Sequence, residues 1–141
     1  MSEFELTVTR TIPAAKKTVF DAWLDPNALM KFMCPGESVT CTKAEVDARV
    51  GGAYLIVMTA GDKELPHSGE YKTITKYDEL VFSWVSPMAS GGSVVTLTFE
   101  DAPDGATKLT LHHAGLPSEE SRSNHEGGWT RIVGILSQTV S

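Results

Sequence analysis

LTLHHAGLPSEESRSNHEGGWTRIVGILSQTV, residues 109–140, sets two periodicities side by side, and their junction decides the fold. Leu109, Leu111 and His113 alternate with Lys108, Thr110 and His112, the period-two pattern of a strand with one buried face. Past Pro117, the residues His125, Trp129, Ile132, Val133, Leu136 and Val140 recur at spacings of three and four, which is one face of a long helix. Ser118 with Glu119 and Glu120 offers an N-cap and two acids favoured at a helix start. Ser123 with Glu126 has capping-box spacing and is a rival start. Gly127 and Gly128 each cost about 1 kcal/mol relative to alanine in a helix interior, and close approach of the helix to a strand is the expected reason for them.

Upstream of this junction the pattern is mostly strand. Phe4, Leu6, Val8 and Ile12 predict a first strand that Pro13 ends. Val19, Phe20, Trp23 and Leu24 predict a short amphipathic helix over 15–24, and Asp25-Pro26 opens a second, ending by Lys31 or Phe32. After the Pro35-Gly36 turn, strands are expected over 39–50, 53–60, 68–76, 80–86, 93–100 and 107–114, separated by turn dipeptides such as Gly51-Gly52, Gly61-Asp62 and Gly91-Gly92. Val39 and Cys41 are out of phase with Val46, Ala48 and Val50, so a bulge near Lys43 is required. The expected fold is α+β: a curved antiparallel sheet of six to seven strands wrapped around a long C-terminal helix, with two short helices after the first strand. Residues 1–141 make one domain, near the commonest domain size.

With 41% hydrophobic and 21% charged residues, the composition is that of a globular chain. The longest uninterrupted apolar run, Tyr54 to Met58, falls far short of the roughly 20 residues of a membrane span, and the acidic start Glu3-Phe4-Glu5 is unlike a secretory signal. A cytoplasmic location is expected. A net charge of −6 opposes a surface that neutralises phosphates, so nucleic acid is not an expected partner. Cys34 and Cys41 match neither a redox pair nor a zinc knuckle and are expected as free buried thiols. No HExxH or clustered Cys/His spacing exists, so no metal is expected. Likewise no nucleophile elbow, phosphate-binding glycine loop or dinucleotide fingerprint is present, and no cofactor is expected.

The element order, together with Asp47-Ala-Arg49-Val-Gly51-Gly52, Gly69-Glu-Tyr71, Leu80-Val-Phe-Ser-Trp84, Leu109-Thr-Leu-His-His113-Ala-Gly115-Leu116 and His125-Glu-Gly-Gly128-Trp129, resembles the Hsp90-ATPase-activator-like branch of the START/Bet v 1 superfamily. The resemblance runs from about Thr9 to Leu136. It implies a helix-grip fold with an elongated cavity between sheet and C-terminal helix, and it raises a stress-response chaperone as a partner. The chain departs from the family at Phe32-Met33-Cys34-Pro35, where relatives carry a tryptophan-rich stretch before glycine-proline. Pocket contacts made there are expected to differ.

Candidate walls of such a cavity are Trp23, Phe32, Met33, Met58, Phe82, Trp84, Leu97, Phe99, Leu111, Trp129, Val133 and Leu136; ordinary core packing is the competing reading of each. His113 shares strand phase with Leu109 and Leu111 and should face inward, while His125 leads the helix face. The two imidazoles are therefore placed to meet at one mouth of the cavity, either as a proton-handling or ligand-orienting pair or as hydrogen-bonded core histidines. Arg49 and Glu70 are the charged residues nearest these motifs, either orienting a polar end of a ligand or solvated at the surface. A patch around Phe32-Met33 is a candidate homodimer contact. Three functions follow: binding of a hydrophobic or amphipathic small molecule, regulation of an Hsp90-like chaperone, or a cavity enzyme with His113 or His125 as acid or base. No residue is assigned as catalytic.

Overall fold

A computed structural model describes residues 4–86, 89 and 92–140. It holds β1 (Leu6–Ile12), α1 (Lys16–Ala22), α2 (Pro26–Phe32), β2 (Val39–Val46), β3 (Ala53–Ala60), β4 (Lys63–Thr75), β5 (Glu79–Trp84), β6 (Ser93–Ala102), β7 (Ala106–Ala114) and α3 (Glu119–Val140). The strands form one seven-stranded sheet in the order β1-β7-β6-β5-β4-β3-β2. Every neighbouring pair is antiparallel. Six strands follow one another as a meander, and the first closes against the last. This is the α+β arrangement of antiparallel sheet and long C-terminal helix that the periodicities predict, and the helix-grip fold that the resemblance implies.

Local chemistry explains most of the boundaries. Asp25 caps α2, accepting from Asn27 N at 2.9 Å, with Pro26 at the first helical position. Replacing Asp25 by alanine is expected to cost about 1 kcal/mol, seen as a lower urea midpoint with an unchanged slope. Ser118 caps α3, its Oγ accepting from Ser121 N at 3.1 Å, so the start at Ser118 prevails over the rival at Ser123. The bulge lies between Cys41 and Lys43.

Four expectations need correction. β2 ends at Val46 rather than Val50, because Arg49 N bonds to Asp47 O and Gly52 N to Arg49 O, folding 47–52 into a turn. Gly51 in that turn has φ of 85°, a left-handed conformation that suits glycine. β4 starts at Lys63, five residues earlier than expected. Pro66 is tolerated there because Ser68 N, two residues on and pointing the same way, donates to Val85 O, away from β3; at Pro66 that side has no paired strand among the described residues. The glycines of α3 do not meet a strand: a Cβ on Gly128 would lie 3.1 Å from Pro35 Cβ in the loop after α2, and one on Gly127 would meet nothing within 4 Å. Finally, Cys41 is buried but Cys34 is only half-buried, and both are free.

The buried side chains form a continuous cluster between the sheet and α3, with α1 and α2 closing one side. Trp129, Ile132, Val133 and Leu136 lie on the buried face of α3. Phe20 of α1 packs edge-on against Phe99 of β6, ring centroids 5.3 Å apart, filling the sheet's concavity at that point.

Candidate ligand-binding site

The core does not close everywhere. Where the first half of α3 passes over the β2–β4 side of the sheet, a recess of about 200 Å³ remains. Its floor is Met58 of β3 with Leu65 and His67 of β4. Trp84 and Ser86, at the end of β5, make one wall, and Pro35 and Val39 the rim toward α2. Asn124, His125, Gly128, Trp129 and Ile132 come from α3. Gly128 has its packing reason here, since it lets the helix lie against Pro35 beside the recess. No lysine, arginine, aspartate or glutamate lines the recess among the described residues.

Four of the residues proposed as cavity walls or anchors line it: Met58, Trp84, His125 and Trp129. Phe32, Leu97, Phe99, Leu111, Val133 and Leu136 do not; they are fully buried elsewhere in the core. Trp23, Met33 and Phe82 border a second void of only about 10 Å³, with Tyr54 and Tyr71, roughly the space of one water. His67, Leu65 and Val39 were not anticipated. A signal for His67 exists, because Leu65, His67, Gly69 and Tyr71 alternate with the exposed Pro66, Ser68 and Glu70 along β4. Glu70 and Arg49 are exposed and outside the recess, and Arg49 Nε donates to Asp47 Oδ2 at 2.8 Å. Phe32 and Met33 are 0% and 1% exposed, so the surface patch suggested as a dimer contact is core instead.

The histidines do meet, but with unequal parts. His113 and His125 rings stand perpendicular, 5.0 Å between centroids. Trp129 Nε1 donates to His113 Nδ1 at 2.9 Å. The proton of a neutral ring is therefore on Nε2, which donates to Ser93 Oγ at 2.7 Å, and Ser93 in turn donates to Trp84 O at 2.8 Å. With both nitrogens bonded and the ring wholly buried, His113 is held neutral: burial first, then the neighbouring His125 and His112, push its pKa down to about 3. It has no nitrogen left for a ligand or a proton transfer. The chain instead holds the Trp129 indole and ties it through His113 and Ser93 to the backbone of Trp84, and the two tryptophan rings lie 4.8 Å apart.

His125 is different. Its Nδ1 lies 2.8 Å from Ser121 O, and a carbonyl only accepts, so Nδ1 carries the proton. Burial lowers its pKa. His67 donates from Nδ1 to Leu65 O at 2.9 Å, lies tilted against Trp84 with ring centroids 4.9 Å apart, and has its pKa pushed down to about 4 by burial. His112 points outward to Glu5, 3.2 Å away. Two polar atoms at the wall, Trp84 Nε1 and Ser86 Oγ, are buried without a hydrogen-bond partner among the described residues. Among those residues no three His, Cys, Asp or Glu gather to hold a metal ion, and no helix is long and apolar enough to cross a membrane.

The fold is shared with proteins of known structure. Protein CV1439 from Chromobacterium violaceum is 27% identical, with a TM-score of 0.87 over 97% of this chain and 96% of its own. Protein NE0264 from Nitrosomonas europaea is 20% identical, with a TM-score of 0.81 over 98% of this chain and 94% of its own. The AHSA1-like protein from Aeromonas hydrophila is 22% identical, with a TM-score of 0.76 over 96% and 92%. No curated protein matches the sequence. The sequence pattern described as "Activator of Hsp90 ATPase homolog 1-like protein" matches residues 13–141. With that match spanning nearly the whole chain, on a seven-stranded sheet gripping a long C-terminal helix, the chain belongs to the family of Activator of Hsp90 ATPase homolog 1-like proteins.

Proposed function

We propose that this domain binds a small apolar or amphipathic molecule in the recess between α3 and the β2–β4 side of the sheet. The observation that carries the reading is the recess itself, about 200 Å³ of mostly apolar space beside the buried core. Left dry and empty, a void of that size costs about 5 kcal/mol at ~24 cal/mol per Å³, a large part of a domain's stability. Water entering from the open rim lowers that figure, and an apolar occupant offsets more of it. Space of this size suits a ring system of about a dozen heavy atoms, or one end of a larger molecule that protrudes at the rim.

Trp84 and Trp129 both line the recess, so occupancy is expected to change the intrinsic tryptophan fluorescence and to raise Tm together. Screening fatty acids, sterols and aromatic compounds by thermal shift, with native mass spectrometry of the freshly purified protein, tests this. A ligand at a hundred times its Kd contributes about 2.7 kcal/mol. A panel in which no compound moves Tm, with a clean unliganded mass, removes the reading. Regulation of a chaperone rests on the family name alone, and the ATPase rate of an Hsp90-like chaperone with and without the protein decides it.

A further inference from the structure

The chemistry of the recess restricts what it holds. We infer that its occupant is an uncharged, compact apolar molecule bearing a hydroxyl or N–H group, which donates a hydrogen bond to Nε2 of His125. This inference rests on the binding reading above and narrows it.

Three observations support it. First, the described lining carries no charged side chain that could pair with a carboxylate or an ammonium group, and an unpaired charge taken out of water is strongly disfavoured. Second, the tautomer of His125 is fixed by its own helix: Nδ1–H is committed to Ser121 O, so Nε2 of the neutral ring carries a lone pair and accepts. Third, of the other two imidazoles, His113 has both nitrogens bonded within the core, and His67, whose Nδ1–H is likewise committed to a carbonyl, sits apart on β4 at the floor of the recess. His125 is thus an acceptor on an apolar wall, and its complement is a neutral donor.

The donor requirement separates from simple apolar binding when molecules of one shape differ in a single group. Isothermal titration calorimetry at pH 7.5 with naphthalene, 2-naphthol, 2-methoxynaphthalene and 2-naphthoate makes that comparison on the full chain. The expected order is 2-naphthol about tenfold tighter than naphthalene, as one net buried hydrogen bond implies, with 2-methoxynaphthalene no tighter than naphthalene and 2-naphthoate roughly a hundredfold weaker than 2-naphthol. In His125→Phe the preference for 2-naphthol should fall to about onefold while naphthalene still binds; circular dichroism and the melting curve establish that the variant is folded. If His125→Phe does not fold, His125→Gln, whose amide can both accept and donate, should retain binding of 2-naphthol and lose its preference over 2-methoxynaphthalene. Equal affinities for naphthalene, 2-naphthol and 2-naphthoate in the unaltered protein overturn the inference and leave the binding reading standing. No binding by any of the four overturns both for ring systems of this size.

Discussion

Between pH 8 and pH 5 the protein is expected to lose about 4 kcal/mol of folding stability, from His67 and His113 alone. Their folded pKa values, about 4 and about 3, lie below that of a free imidazole, so the folded state resists the proton that the unfolded chain accepts. The sign follows: well above pH 6.5 both states are neutral and nothing changes, whereas below it stability falls with falling pH until the folded values are reached. At pH 5 each fully suppressed imidazole accounts for about 2 kcal/mol. His125, also lowered by burial, acts in the same direction. For a domain of this size the loss corresponds to a fall in Tm of roughly 8 °C or more. Urea unfolding at pH 8, 6.5 and 5 measures it directly. A stability that stays flat across that range would mean that the imidazoles are not buried neutral, and the hydrogen-bond chain through His113 would have to be abandoned.

Gly69→Ala is expected to be the most damaging small substitution in the sheet. A Cβ at this position would lie 1.9 Å from Ser83 O, 2.7 Å from Ser83 C and 2.8 Å from Tyr54 Cε2. Two of these are backbone atoms of β5, which no side-chain rotation can move aside. The same carbonyl accepts from Tyr54 OH at 2.6 Å, so displacing it also breaks a partly buried hydrogen bond. We expect a loss of about 3 kcal/mol or more, beyond ordinary overpacking because the strand pair must separate. Chemical denaturation of the purified variant checks it, or its yield of soluble protein if it cannot be purified. A cost below about 1 kcal/mol would show that β4 and β5 do not approach so closely. Gly52→Ala provides a comparison, because its Cβ would meet Asp47 O at 2.2 Å within the turn rather than between strands.

Period and punctuation made the strand order and the two helical faces legible, because alternation and three-four spacing report directly which residues face inward. The inward turn of His113 and the outward turn of His112 follow from strand phase, and the structure has both. What strand phase does not report is how far along the buried face the core closes. Leu97, Phe99, Leu111, Val133 and Leu136 also face inward but are buried outside the recess, Phe99 beneath the ring of Phe20. Whether a residue such as Leu97 lines a void or packs solidly depends on what crosses above it, a tertiary fact. His67 escaped notice because Pro66 interrupts the strand pattern before it, and the proline is permitted because its side away from β3 has no paired strand among the described residues. The partners of His113 were hidden for a simpler reason: Ser93 and Trp129 are 20 and 16 positions away, beyond any local pattern.

The pairing of β1 with β7 sets a constraint on how the molecule is made as well as on how it stands. Glu5, just before β1, meets His112 across 107 positions of chain. On a nascent polypeptide β1 is therefore expected to stay unpaired until β7, its only neighbour in the sheet, has emerged. Contacts of such sequence separation slow folding, and an unpaired edge exposed meanwhile is open to pairing with other chains. Apolar residues along β1 are few and Arg10 interrupts them, a composition that suits a strand obliged to wait in solvent for its partner.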